Sequence, residues 1–312
     1  MNSIEIKRVS WHEHSNTLSD IRTRIFMQEQ NVSEALEFDG LDALETTQHY
    51  LIFKDEKAIG AARKIESGQI GRICIEKHER RQGYATALTR HITQAILNTP
   101  NHTTVWLHAQ CDAIPLYSAL GFKTKGEAFE EAGIPHQGME FDASSSENLE
   151  KIYQHSVIRL QNAAEFSHHA TQMATAASRE VTIFSSALSD TVFNKALAEA
   201  LSRLARKHKQ TRIRILVQNS KELIGSHHPF ILLAQRLPSS INIHHLKDAP
   251  TSYQTGFIVA DRSQLVFFND EANLEGFACY RARPESEKQI ELFEQLWQFH
   301  SVEDPELRRL SL

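Results

Sequence analysis

With 312 residues, 23% charged and 41% hydrophobic, the chain has the composition of a globular protein long enough for two domains. Its net charge of −5 excludes a general electrostatic pull toward nucleic acid or an anionic membrane surface. No apolar run reaches the length of a membrane-spanning helix, the N-terminal stretch lacks a signal-peptide core, and three cysteines (Cys74, Cys111, Cys279) without a pairing pattern fit a reducing cytoplasm. Seventeen histidines are many, but no metal-binding spacing organises them, so no metal site is expected.

Alternation in IEIKRV, residues 4–9, predicts a first strand. Residues 18–30, LSDIRTRIFMQEQ, predict a helix with Ile21, Ile25 and Phe26 on one face. The next stretch, 32–47, is acidic: Glu34, Glu37, Asp39, Asp42 and Glu45 have no counter-charge within it. Residues 49–53 and 58–63 predict two strands joined by a tight turn.

The most informative stretch is QIGRICIEKHERRQGYATALTRHITQAIL, residues 69–97. Its first part is a short, β-branched strand, 70–75. Its last part repeats Ala85, Leu88, Ile92 and Ile96 at helical spacing. Between them Gly83 lets the main chain pass close to a ligand. A loop opening into a helix offers unpaired N–H groups and the positive end of the helix dipole, and the arginines beside it point to a phosphate. An ordinary turn with solvated arginines has the same spacing.

Residues 104–109 predict another strand. Asp112 is placed to cap a short helix running to Leu120, with Pro115 in its first turn. Phe122 opens a strand after Gly121, residues 127–136 read as a loop, and 138–141 as a last strand. The polar, serine-rich DASSSEN at 142–148 marks a boundary, giving a domain over 1–142, a linker over 143–149 and a domain over 150–312. The second domain begins with helix to about 178 and continues as strand 181–184, helix 191–207, strand 212–217, helix 229–237, extended 241–244, a hairpin around Asp261-Arg262 and a final helix. Such alternation implies an α/β sheet covered by helices.

Leu116-Tyr117 followed by Leu120-Gly121-Phe122, with Ala113 ahead of them, resembles a segment of the GNAT N-acetyltransferases. Arg-x-x-Gly-x-Ala at 80–85 resembles the same family's pyrophosphate-binding motif. Residues 21–30, His49, His108-Ala109-Gln110 and the 131–136 segment resemble its ElaA-like branch. The resemblance implies an α+β GNAT fold, a mixed, mostly antiparallel sheet flanked by helices, over 1–142. It implies acetyl-CoA as donor substrate and transfer of acetyl to a primary amine by direct attack in a ternary complex. Ile73 and Ile75 would run along the pantetheine arm, and Arg80, Arg81, Gln82, Gly83, Tyr84, Ala85 and Thr86 would hold the pyrophosphate, with Gln110 nearby. Tyr117 would protonate the departing thiolate. A base must also take the amine's proton; Glu29, Glu37, Asp39, Glu76, His49, His108 and His136 are candidates, with His136 the working choice. Glu29, Glu37, Asp39 and His49 would face the acceptor.

The order of elements in the second half resembles one half of a phospholipase-D-like fold. That family's His-x-Lys-x4-Asp pattern falls here on Gln254, Gly256 and Asp261, so the nucleophile and its lysine are missing. The expectation is a domain without phosphodiesterase chemistry, able to pair as a homodimer. The alternative function is a non-catalytic acyl-CoA sensor or scaffold whose second domain binds a partner.

Overall fold

The structure, a computed structural model, describes residues 4–99, 104–154, 156–221, 223–247, 253–303 and 307. The chain divides into two compact units, Met1–Ala143 and Ser144–Leu312. Among the described residues, no helix is long and apolar enough to cross a membrane.

The first unit runs β1 (Ile4–Val9), α1 (Trp11–Arg22), a π-helical turn (Thr23–Glu29), α2 (Glu34–Glu37), β2 (Gln48–Lys54), β3 (Lys57–Lys64), β4 (Ile70–Ile75), α3 (Tyr84–Leu97), β5 (Val105–Gln110), α4 (Ile114–Ala119), β6 (Phe122–Glu131) and β7 (Ile134–Phe141). Two antiparallel sheets result, ordered β1-β2-β3-β4 and β5-β7-β6. Leu18, Ile21 and Ile25 pack on Leu51, Ala61 and Cys74 to cover the first sheet, while α3 buries Leu88, Ile92 and Ile96.

The sheets meet at one parallel bridge, Gln69 to Trp106. Gly68 makes that approach possible. It has φ 83°, and a β-carbon there would lie 2.1 Å from the Thr104 carbonyl oxygen. Beyond the bridge β4 and β5 pair no further among the described residues, and a cleft opens between them. On the other side of β4, Ala61 faces Cys74 while Arg63 faces Gly71, so β4 carries an extra residue. Arg72 takes up the resulting kink at φ 54°.

Several sequence expectations change here. The first helix starts at Trp11 and widens into the π turn, whose Gln30 amide bonds to the Ile25 carbonyl at 3.2 Å. Asp112 lies inside a 3-10 turn, and Ala113 stands at the helix N-cap. The expected loop over 127–136 is a β-hairpin. Ala132 (φ 53°) and Gly133 (φ 76°) form a two-residue left-handed turn that zips β6 to β7. After Phe122 every residue of β6 is exposed, so the alternation that announces a half-buried strand is absent.

The second unit runs α5 (Ser146–Tyr153), β8 (Val157–Leu160), α6 (Ala163–Ala176), β9 (Glu180–Ser185), α7 (Lys195–Lys207), β10 (Arg212–Val217), α8 (Pro229–Arg236), β11 (Ile241–Leu246), β12 (Gly256–Ala260), β13 (Gln264–Asp270), β14 (Glu275–Cys279), α9 (Arg283–Phe299) and β15 (Ser301–Glu303). They build one mixed sheet ordered β15-β11-β10-β9-β12-β13-β14-β8. Its parallel core β9-β10-β11 is connected through α7 and α8, and the remaining pairs are antiparallel. Helix α9 buries Ile290, Phe293 and Leu296 against Phe257, Val259 and Leu265.

Local chemistry sets the boundaries. The Ser145 side chain accepts from the Asn148 amide, so the serine-rich stretch leads directly into α5. Asn194 accepts from Ala196 and Leu197, which delays α7 to Lys195. Asp261, at φ 47° between β12 and β13, accepts from the amides of Ser178, Arg179 and Glu180 at 2.7–3.0 Å. Strands β8, β14 and β15 escape the sequence reading: β15 has three residues and β8 four, too short for a periodicity.

Candidate active site

The cleft between β4 and β5 has a volume of about 700 Å³. One end is formed by the loop ahead of α3. Arg81 (φ 64°) and Gly83 (φ 84°) turn the main chain left-handed there, and Ala87 makes the first intrahelical bond back to Gly83 at 2.9 Å. The amides of Tyr84, Ala85 and Thr86 therefore head the helix without an intrahelical acceptor. A β-carbon at Gly83 would have nothing within 4 Å, which leaves that turn open to an approaching group. An anion with several oxygens fits such an end. The loop is braced rather than loose. Lys54 binds Glu79 at 2.8 Å, Gln82 donates to Glu79 at 3.1 Å, and the Tyr84 hydroxyl donates to Gln82 at 3.2 Å.

Arg80 and Glu29, assigned from the sequence to the donor and the acceptor sides, meet each other. The guanidinium holds both carboxylate oxygens, at 2.5 and 2.8 Å, and its Nε donates to the Ile75 carbonyl at 2.9 Å. The pairing with Arg80 holds Glu29 below the usual carboxylate range. Ile73, Ile75, Arg81, Gly83, Tyr84, Ala85, Thr86 and Gln110 all line the cleft, and Gln110 donates to Gln30 at 2.9 Å.

The acidic run has counter-charges after all, supplied by three arginines distant in sequence. Arg22 binds Glu37 at 2.6 Å and both oxygens of Asp42 at 2.9 and 3.1 Å. Arg63 grips both oxygens of Asp39 at 2.7 and 2.6 Å and reaches Asp42 at 3.0 Å. Arg72 binds Glu37 at 3.1 Å, Asp39 at 3.2 Å and the Leu36 carbonyl at 2.8 Å. Burial alone would raise Asp39, but Arg63 and the Leu41 amide outweigh it and hold the carboxyl at about 2. Burial wins at Glu37, which stays above the ordinary value against the pull of Arg22.

This network fixes the wall on which Leu36, Glu37 and Arg72 line the cleft. Glu37 and Asp39, expected on the acceptor side, thus have their oxygens engaged by arginines, and of the two Glu37 lines the cleft. His49 is 1% exposed, bonds the Asp42 carbonyl through Nε2 at 2.9 Å and lies behind the lining. Burial lowers its proton affinity. A signal was present in the sequence: arginines at 22, 63 and 72, on predicted elements, with no acid beside them. Pairing them with the 32–47 run requires the tertiary fold.

Tyr117 lines the cleft from α4, 7% exposed, its ring edge-on to Phe122. Burial pushes its phenol up to about 12, so it is protonated at neutral pH. His136 on β7 and His108 on β5 also line the cleft. His136 Nδ1 lies 2.8 Å from the Ile134 carbonyl, which can only accept, so Nδ1 carries the hydrogen and, in the neutral ring, Nε2 a lone pair. The cleft thus combines the open amides heading α3, a buried phenol and two imidazoles. Among the described residues, no group of three His, Cys, Asp or Glu side chains could hold a metal ion.

Known proteins match the two units separately. The second matches, over residues 162–310, a domain of unknown function (DUF7931), which supplies no activity for it. Over the first, the uncharacterized protein YyaT of Bacillus subtilis is 34% identical across 137 residues, which are 43% of this chain and 92% of that protein. The putative acetyltransferase BSU40680 of the same organism is 31% identical with the same coverage. Protein ElaA of Escherichia coli is 28% identical over 128 residues, 39% of this chain and 83% of that protein. An acetyltransferase (GNAT) domain matches residues 16–143, and through them the chain belongs to the GNAT acetyltransferase family.

Proposed function

We propose that the first unit transfers acetyl from acetyl-CoA to a primary amine of a small molecule or peptide, by direct attack within a ternary complex. The observation that carries this reading is the convergence, in one cleft, of the left-handed loop heading α3 with Tyr117 and two imidazoles. The amides of residues 81–86 would hold the pyrophosphate, and the free edge of β4 at Ile73 and Ile75 would align the pantetheine arm. With the thioester carbonyl so placed, attack by the amine becomes effectively unimolecular. Tyr117 would give its proton to the departing thiolate, and an imidazole of the β5–β7 face, His136 or His108, would take the proton of the acceptor.

For the second unit the resemblance to a phospholipase-D-like half rests on the order of its elements and on Asp261 in its hairpin turn. Gln254 and Gly256 leave no nucleophile or phosphate-binding charge, so phosphodiester hydrolysis is not assigned. A homodimer through residues 150–312 is part of the same reading; light scattering that finds a monomer at micromolar concentration removes it.

The test of transfer is acetyl-CoA consumption across a panel of amines, repeated with Tyr117→Phe. The variant should lose most of kcat and retain binding of acetyl-CoA. Binding of acetyl-CoA without acetylation of any amine would favour an acyl-CoA sensor whose second unit holds a partner.

A further inference from the structure

Trp106, His108 and Gln110 alternate along β5 and share one face. On the neighbouring strand the residue opposite His108 is Gly138, so its cross-strand partner contributes no side chain. His108 Nδ1 lies 2.8 Å from Glu131 Oε2. Phe129 meets the imidazole edge-on at 4.7 Å, and Trp106 flanks it at 5.3 Å. Two rings and one carboxylate therefore fix its orientation. A carboxylate only accepts, so Nδ1 carries the hydrogen, and in the neutral ring Nε2 is left to receive one. His108 and Glu131 both line the cleft that Tyr117 lines.

His136 offers the same free nitrogen with a different partner. Its Nδ1 donates to a neutral main-chain carbonyl two residues away on its own strand. A proton arriving at Nε2 of His136 creates a cation facing a dipole. At His108 the ring hydrogen faces a carboxylate, the partner that orients a catalytic imidazole.

We propose that His108 is the general base of this site and that Glu131 is its positioning residue. The proposal rests on the acetyl-transfer reading above and selects between its two imidazoles. The acceptor ammonium gives one proton to His108 Nε2, and the amine lone pair then attacks the thioester carbon. As the C–N bond forms and the C–S bond breaks, the thiolate takes the Tyr117 proton. The second proton lost by the nitrogen replaces the one that Tyr117 gave, and His108 releases its own to solvent. Amide, free thiol and one proton are the products.

The full chain is assayed with acetyl-CoA and a polyamine, an arylalkylamine and a lysyl peptide. With any amine that the unmodified protein acetylates, His108→Gln should lower kcat by roughly 10²–10⁴-fold and leave KM for acetyl-CoA unchanged. Free imidazole should restore part of the activity lost in His108→Ala. Glu131→Gln should lower kcat less than His108→Gln does, and Glu131→Asp should recover most of that loss. A His108→Gln variant with unmodified kcat overturns the assignment while leaving acetyl transfer standing; no binding of acetyl-CoA at all overturns the reading beneath it. If none of the three amines is acetylated, nitrogen NMR of His108 decides. An Nδ1–H tautomer whose proton signal moves in Glu131→Gln supports the pair, and an Nε2–H tautomer overturns it.

Discussion

Replacing Arg22 by methionine removes one charge from the network beneath the cleft and keeps most of the side chain's volume. Arg22 is 1% exposed, and its guanidinium donates to Glu37 Oε1, the Glu37 carbonyl and both oxygens of Asp42 at 2.6–3.1 Å. Afterwards Glu37 keeps Arg72 at 3.1 Å and Asp42 keeps Arg63 at 3.0 Å, so two cations face three carboxylates. Breaking a buried pair by removing one partner costs about 3–5 kcal/mol, and the shared arginines place this case near 3. The loss should appear in urea unfolding followed by the fluorescence of Trp11 and Trp106, with Trp297 reporting on the second unit. Its pH dependence has a definite sign. Burial already holds Glu37 above its ordinary value, and without Arg22 it rises further. A carboxyl raised in the folded state favours folding at low pH and loses that advantage as pH rises through the folded value. The variant's deficit should therefore shrink from neutral pH toward about pH 5. A deficit below about 1 kcal/mol at pH 7, or one that grows on acidification, would refute the claim that these carboxylates depend on Arg22.

Three further perturbations follow from the same geometry. Gly83→Glu sets a carboxylate against the anion-binding end and should abolish the rise in melting temperature on adding acetyl-CoA, whereas Gly83→Ala, with open space at its β-carbon, should keep the rise and cost about 1–2 kcal/mol for its left-handed backbone. At the closed end of the cleft, Gly68→Ala drives a methyl to 2.1 Å from the Thr104 oxygen; calorimetry should show more than about 2 kcal/mol lost, and a smaller loss would mean that the Gln69–Trp106 bridge relaxes freely. In the second unit, Asp261→Asn leaves one accepting oxygen for three amides and should cost about 1–2 kcal/mol, measured as a shift in the Trp297-reported transition.

The sequence exposed the first unit unevenly, for physical reasons. Strands β2, β3 and β4 and helix α3 bury one face or both, so their side-chain periodicity announces them. The hairpin of β6 and β7 divides: β7 buries Gln137, Met139 and Phe141 in alternation, so its end could be read, whereas β6 beyond Phe122 is an exposed arm on which burial imposes no pattern. The pairing of that arm emerges only from the Ala132-Gly133 turn. The loop at 80–85 could be read because glycine and the helix start are local signals. The pairing of Arg22, Arg63 and Arg72 with the acidic run, or of His108 with Glu131, spans from 15 to 35 residues of sequence and depends on which strands become neighbours. In the second unit Asn194 and Ser145 show how one capping side chain moves a helix boundary by several positions.

The single bridge between Gln69 and Trp106 has a consequence for how the protein is handled when it is empty. Two strands that touch once and then separate present two raw sheet edges to solvent, inside one groove, with β4 kinked at Arg72. Exposed edges recruit extended chains of any origin. The groove therefore takes the shape of a missing strand, and a ligand with its own amides can fill it by completing the hydrogen-bond ladder. Filling the groove would also shield the protein from pairing with its own copies. Concentrated stocks stored without such a ligand should be the first to associate.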